Sequence, residues 1–214
     1  MASRPHQVSP MSTLEPIVYV VEDDELQRDF ITHLLESVHY TVRAYVSGLA
    51  FLAGYEPAKP GCLISDVLMP DVTGLELQEV LLERRIQIPI IFVTAHADVA
   101  MTKTALKKGA LDVLEKPIST VELVEAVQQG IARDLRFRQH QLRAETTQAR
   151  LACLTSRERQ VLDLLVAGNT NKEVAEKLGL SLRTIETHRN NTFKKLHVNS
   201  FSELLRTLLS APAF

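Results

Sequence analysis

Four short polar motifs each end or follow an apolar run of the sequence, and together they carry the groups that phosphoryl chemistry needs. They are Glu22-Asp23-Asp24, Asp66, Thr94 and Lys116-Pro117. Carboxylates that converge from two strands repel one another unless a hard cation joins them, and Mg²⁺ with oxygen ligands suits such an open site. With the metal, the hydroxyl of Thr94 and the ammonium of Lys116 would face a phosphoryl group during its transfer to a carboxylate.

The motifs lie at the ends of predicted parallel strands. The strand-like runs are Ile17–Val21, Thr41–Tyr45, Cys62–Ser65, Pro89–Val93 and Leu111–Leu114. Amphipathic helical patterns lie between them at Glu25–Ser37, Gly74–Arg84 and Val99–Lys108. This alternation predicts an α/β doubly wound (βα)5 sheet, whose ligands bind beyond the carboxyl ends of the strands.

The remainder of the chain is predicted to be all-α. A helical pattern that starts at Ser119 predicts a connecting helix of about 30 residues, or about 45 Å. Its apolar repeat fades after Leu135, which favours a solvated linker over the alternative of a weak coiled-coil dimer seam. Four short helices follow, and the Gly179-Leu180-Ser181 connection between the second and third predicts a helix-turn-helix.

The net charge also differs between the two parts of the chain. The 214 residues have a formal net charge of −2, but residues 1–130 carry −8 and residues 131–214 carry +6. A basic half suits a polyanionic partner. No apolar run approaches the ~20 residues that span a bilayer. Two cysteines, Cys62 and Cys153, cannot build a disulfide framework, which favours a cytoplasmic location.

The four motifs, read with their neighbours, resemble the four marks of a two-component receiver domain. They are Val20-Val21-Glu22-Asp23-Asp24, Asp66-Val67-Leu68-Met69-Pro70, Val93-Thr94-Ala95 and Glu115-Lys116-Pro117. The resemblance implies that Asp66 accepts phosphate from a sensor histidine kinase, that Thr94 is the switch hydroxyl and that Lys116 senses the phosphate. It also implies a cis bond before Pro117. The implied Mg²⁺ ligands are Asp23 directly, Glu22 through water, Asp66, and the carbonyl of Leu68.

Two positions depart from the commoner receiver pattern. Val113 stands where the family usually carries Tyr or Phe as a rotamer switch. Leu68 and His96 flank the path of a hydrolytic water, and because leucine cannot orient water we expect a long-lived phosphoryl state. Asp24 is a flanking acid without an assigned role.

The basic end is similar to a LuxR-type helix-turn-helix, so the whole chain resembles a NarL/FixJ-type response regulator. The motifs are Leu154 to Leu162, Asn171 to Ala175, Thr184 to Arg189, and Lys194-Lys195-Leu196. One exposed stripe at helical spacing suits the major groove, and it consists of Arg183, Glu186, Thr187 and Asn190. Basic residues around this stripe suit phosphates. The predicted DNA contacts are Lys172, Arg183, Thr184, Glu186, Thr187, Arg189, Asn190, Lys194 and Lys195.

The sequence therefore predicts a phosphorylation-switched transcription regulator rather than an enzyme. Its expected cofactor is Mg²⁺, and its expected partners are a sensor histidine kinase, double-stranded DNA, a second copy after phosphorylation and RNA polymerase, with no membrane. The predicted segments are a disordered leader (1–15), a receiver (16–130), a helical linker (131–150) and a DNA-binding domain (151–214). The alternative is a phosphate-independent binding module, which Val113 supports. An aspartyl phosphohydrolase would need an Asp-x-Asp on the first strand, which Glu22-Asp23-Asp24 does not supply.

Overall fold

The computed structural model describes residues 15–70, 72–95 and 97–209. The predicted leader lies outside these residues except for Glu15, and so does His96. Within the described ranges, no helix is both long and apolar enough to cross a membrane.

The first half of the chain forms a five-stranded parallel sheet in the order β2-β1-β3-β4-β5. The strands are β1 (Ile17–Val21), β2 (Thr41–Tyr45), β3 (Gly61–Asp66), β4 (Ile90–Thr94) and β5 (Asp112–Glu115). The predicted doubly wound sheet is confirmed, and only the ends of the last three strands differ, by one residue each. Asp66 is therefore the last residue of β3, and Thr94 is the last residue of β4.

Four helices connect the strands. They are α1 (Glu25–Ser37), α2 (Gly48–Gly54), α3 (Gly74–Glu83) and α4 (Val99–Lys107). The sequence patterns named the other three helices but not α2, whose seven residues are too few to show a helical repeat. Ser47 caps it by accepting a hydrogen bond from the amide of Ala50, and Phe51 anchors it in the core.

The sheet is buried on both faces. Alternate residues of β1 point to opposite sides, so Tyr19 packs with Phe51 of α2 on one face, whereas Val18 and Val20 pack with α1 and with the helix that follows β5 on the other. All five residues of β1 are buried. Two covered faces explain why β1 and β4 are continuous apolar runs, and they hold the carboxyl ends of the strands in a rigid frame.

One helix, α5 (Thr120–Ala152), extends over 33 residues, close to the predicted 30. The chain separates into two compact units between Arg138 and Gln139, inside α5. The predicted linker limits at 131 and 150 also lie inside this helix, and they stay predictions. The second unit contains α6 (Ser156–Val166), α7 (Asn171–Leu178), α8 (Leu182–Leu196) and α9 (Phe201–Leu209).

Local capping defines the helix-turn-helix between α7 and α8. Gly179 ends α7 with a φ of 65°, the left-handed conformation that glycine adopts without steric cost. Two residues later Ser181 caps α8, since its hydroxyl accepts a hydrogen bond from the amide of Thr184. Thr155 caps α6 and forms a capping box with Glu158.

A buried carboxylate joins α5 to the beginning of β3. Asp134 is 2% exposed, and its Oδ2 accepts hydrogen bonds from the amide of Gly61 at 2.9 Å and from Nε of Arg138 at 2.7 Å. Arg138 also donates to the carbonyl of Pro57 at 2.7 Å. Gly61 must be glycine here, because a Cβ at this position would lie 2.0 Å from the carbonyl oxygen of Ile17.

Replacing Asp134 with alanine is expected to lower the free energy of unfolding of the first unit by about 2 to 4 kcal/mol, because it leaves a buried amide and a guanidinium without their acceptor. All four tyrosines lie between residues 19 and 55, so a urea titration followed by tyrosine fluorescence reports this unit. Glu125→Ala, an exposed position on the same helix, is the matched control. Equal midpoints for the two variants would contradict the role of Asp134.

Candidate functional site

The carboxyl ends of β1, β3, β4 and β5 bring the predicted site residues to one edge of the sheet. Glu22 and Asp23 directly follow β1, and Asp66 ends the neighbouring β3. Thr94 ends β4, is fully buried, and pairs in register with Glu115 of β5. Lys116 follows, and its amide donates to the carbonyl of Thr94 at 2.8 Å.

Three carboxylates converge at this edge. Each of Glu22, Asp23 and Asp66 offers an oxygen, and these oxygens all lie within 4.8 Å of one another. Glu22 is 1% exposed and Asp66 is 9% exposed, whereas Asp23 is exposed to solvent. Burial raises the pKa of Glu22, the Lys116 hydrogen bond opposes this, and the charge of Asp66 raises the pKa further.

The ammonium of Lys116 joins the two buried carboxylates. Its Nζ donates to Oε2 of Glu22 at 2.9 Å and to Oδ2 of Asp66 at 2.8 Å. Burial by itself would lower the pKa of Lys116, but the hydrogen bonds and charges of Asp66 and Glu22 outweigh it and raise the pKa. The lysine is therefore held charged, beside the oxygen of Asp66 and ready to face an anion. The peptide bond between Lys116 and Pro117 is cis.

The donor set fits Mg²⁺. This ion prefers oxygen ligands, is usually held by one or two carboxylates and keeps several waters. An exposed Asp23 beside two buried carboxylates provides such ligands on a side that water can reach. Mutual repulsion among three clustered carboxylates, of which Lys116 contacts only two, further favours a divalent cation. The contribution of the Leu68 carbonyl stays a prediction.

Residues around Asp66 fix its carboxylate. The amide of Leu68 donates to Oδ1 at 3.2 Å, so each carboxylate oxygen has a different donor. The Leu68 side chain itself is 65% exposed. Val113, the position without the usual aromatic ring, is half-buried in β5 and packs against the core.

Two neighbouring residues have roles that sequence reasoning missed. Asp24, the unassigned acid, caps α1 by accepting a hydrogen bond from the amide of Gln27 at 2.9 Å. Arg28 donates through Nη1 to the carbonyl of Glu22 at 2.9 Å and to that of Asp23 at 3.2 Å. The cap was detectable from an acidic residue just before an amphipathic run. The Arg28 contacts required the geometry of the turn.

In the second unit, α8 presents the predicted stripe to solvent. Arg183, Glu186, Thr187 and Asn190 are exposed, whereas Ile185 on the opposite side is buried. Thr184 is half-buried beside the Ser181 cap. The stripe therefore has the form of a recognition surface, with side chains suited to base edges.

The predicted phosphate contacts differ in their surroundings. Lys172 on α7 and Lys194 on α8 are exposed. Arg189 is half-buried, with its guanidinium 5.2 Å from the centre of the Phe193 ring. Lys195 is engaged within the unit, since its Nζ donates to Oε2 of Glu158 at 2.7 Å. This ion pair offsets the charge of Lys195, and its contact with a phosphate stays a prediction.

Family models match both units. One, described as "Response regulator receiver domain", matches residues 18–128. The other, described as "Bacterial regulatory proteins, luxR family", matches residues 152–208. The first contains every residue of the carboxylate site, and the second contains α8 and its stripe.

Relatives and solved structures match over both units together. Transcriptional regulatory protein FixJ of Azorhizobium caulinodans is 40% identical over 195 residues, which are 91% of this chain and 92% of that protein. Transcriptional regulatory protein TdiR of Thauera aromatica is 38% identical over 192 residues, 90% of this chain and 85% of its own. The low-resolution structure of response regulator StyR matches with a TM-score of 0.81 and 37% identity, over 91% of this chain and 98% of that one. This chain therefore belongs to the response regulators that carry a receiver domain followed by a LuxR-type DNA-binding domain.

Proposed function

We propose that this response regulator is switched by phosphorylation of Asp66 and then controls transcription by binding DNA. The observation that carries the proposal is the Lys116 ammonium, which lies within hydrogen-bond distance of both Asp66 and Glu22 in a cluster of three carboxylates. Three clustered carboxylates with one ammonium that contacts only two of them leave repulsion that does not help stability. An acceptor carboxylate beside a metal site and a fixed cation is what phosphoryl transfer needs.

The chain supplies the nucleophile and a fixed cation. A carboxylate oxygen of Asp66 attacks the phosphorus of a phosphohistidine on the kinase; the new P–O bond forms as the P–N bond breaks, and the electron pair stays on the histidine nitrogen. Glu22, Asp23 and Asp66 would hold Mg²⁺, which when bound neutralises charge on the phosphoryl oxygens. Lys116 neutralises further charge from its position beside Asp66 Oδ2.

The output is proposed to be DNA binding by α8 in the major groove. The exposed stripe reads base edges, whereas Lys172, Arg189 and Lys194 contact phosphates and set the register. Phosphorylation then promotes a dimer, and two half-sites bound together increase affinity without new contacts to each site.

A second candidate is a receiver that acts as a platform without responding to phosphate, and Val113 favours it. A valine packed against the core cannot swing between buried and exposed positions as an aromatic ring does. The two candidates differ in one measurable property. Beryllofluoride with Mg²⁺, which mimics a phosphoryl group on Asp66, changes the dimerisation or DNA affinity of a switch and leaves that of a platform unchanged.

Asp66→Asn is expected to abolish phosphorylation, because an amide lacks the anionic oxygen that attacks phosphorus. Wild-type protein incubated with acetyl phosphate and Mg²⁺ should gain the mass of one phosphoryl group in intact-mass spectrometry, and EDTA should prevent the gain. Asp112→Asn, at an exposed position of β5, is the control and should be phosphorylated normally. Continued modification of the Asp66 variant would show that another residue is the acceptor.

Leu68→Asn is expected to shorten the lifetime of the phosphoryl group roughly tenfold, since an amide next to Asp66 orients the attacking water and leucine does not. The decay of the phosphorylated protein can be followed by intact mass after removal of acetyl phosphate. Leu82→Asn, another exposed leucine, controls for the change in polarity. Decay of the wild-type phosphoprotein within seconds would contradict the role given to Leu68.

Lys172→Ala is expected to weaken binding to all DNA sequences equally and to reduce the slope of log affinity against log salt by about one, because it removes one phosphate contact. Fluorescence anisotropy with labelled duplexes over a salt series measures both quantities. The matched control is Lys177→Ala on the same helix, where the ammonium donates to Oδ1 of Asn169. A loss confined to particular sequences would instead place Lys172 at a base.

A further inference from the structure

The carboxyl-terminal turn of α8 is held by the elements that precede the helix-turn-helix. Nζ of Lys195 donates to Oε2 of Glu158 at 2.7 Å and to the carbonyl of Cys153 at 3.2 Å. Nη1 of Arg150, near the end of α5, donates to the carbonyl of Leu196 at 3.1 Å. Three hydrogen bonds therefore tie the last two residues of α8 to the end of α5 and the start of α6.

Glu158 is itself fixed on the α6 side. It is 4% exposed, and its Oε2 also accepts from the amide of Thr155 at 2.8 Å and from the Thr155 hydroxyl at 3.0 Å. The hydrogen bond from Lys195 and then that from the Thr155 amide lower the pKa of Glu158. The carboxylate is thus a charged, preorganised acceptor and not a mobile surface group.

Two adjacent lysines on α8 therefore have different surroundings. Lys194 is exposed, whereas Lys195 is half-buried and paired with the buried Glu158. A lysine whose charge is already neutralised within the protein contributes little to the attraction of DNA. Its position at the end of the recognition helix suits a different role.

We propose that the Glu158–Lys195 pair fixes the orientation of α8 for reading base sequence, so that both are positioning residues and not phosphate contacts. The proposal rests on the proposed DNA-binding function. Hydrogen bonds to base edges tolerate only a few tenths of an ångström and narrow angles, and α8 with 15 residues is about 22 Å long. A small change of tilt at its end therefore displaces the exposed stripe, whereas flexible lysines still reach phosphates after such a change.

The test uses the full chain and four variants, with and without beryllofluoride and Mg²⁺. The probes are a duplex enriched from a random library by wild-type protein and a scrambled duplex of equal length and composition. Glu158→Gln keeps the capping box, which accepts Gln at this position, but removes the negative charge that holds Lys195. Lys195→Ala removes the pair, Lys195→Arg restores a cation, and Lys194→Ala is the matched loss of an adjacent exposed lysine.

We expect Glu158→Gln and Lys195→Ala to lower affinity for the enriched duplex about tenfold, the cost of a lost charged hydrogen bond. Affinity for the scrambled duplex and the salt slope should not change, and Lys195→Arg should recover most of the loss. Lys194→Ala should lower both affinities and the slope. Because unfolded molecules bind neither duplex, the ratio of the two affinities is independent of any loss of folded protein.

Two results would overturn the proposal. In the first, Lys195→Ala reduces the salt slope by about one, while Glu158→Gln leaves the affinity for both duplexes unchanged or raises it. Lys195 is then a phosphate contact. If both variants lower the two affinities in proportion, the pair serves folding alone. Failure of the proposed DNA-binding function gives a different result, because the wild-type protein would then enrich no sequence from the library. That result would also overturn the positioning role.

Discussion

Repulsion among three carboxylates is the constraint on which the first unit of this protein depends. Oxygens of Glu22, Asp23 and Asp66 lie within 4.8 Å of one another, and such an arrangement would separate if the backbone could yield. Parallel strands buried on both faces prevent that, and Lys116 offsets part of the repulsion by contacting two of the three groups. The repulsion that remains favours a divalent cation, whose charge would in turn offset that of an incoming phosphoryl group.

In the second unit, buried polar contacts help to hold the helix α8. The helix α8 packs into two apolar clusters through Ile185, Phe193 and Leu196. At its last turn, Glu158, Cys153 and Arg150 add polar contacts. The stripe of α8 stays exposed to solvent, where it can contact DNA. The +6 charge of residues 131–214 suits a polyanionic partner, and the role that we propose for Lys195 is to fix the geometry of α8 rather than to add to that attraction.

Much of the fold was predictable because its signals are local. Each apolar run of the sheet corresponds to a strand within one residue at each end, and α1 matches its predicted range. Strand ends in a parallel sheet meet at one edge, so the clustering of Asp66 with Glu22 and Lys116 also followed from the pattern. The helix α2 did not, because seven residues carry too little periodicity and its stability comes from packing of Phe51.

Local sequence patterns were enough to identify strand ends and an exposed helical stripe, since these depend on neighbours a few positions away. Which charged groups form ion pairs and hydrogen bonds inside the protein depends on contacts between distant parts of the chain. Lys195 meets Glu158 across 37 positions and the Gly61 amide meets Asp134 across 73, and no spacing rule links such pairs. Two adjacent lysines look alike in a sequence, but the folded chain surrounds one with a buried carboxylate and leaves the other to solvent.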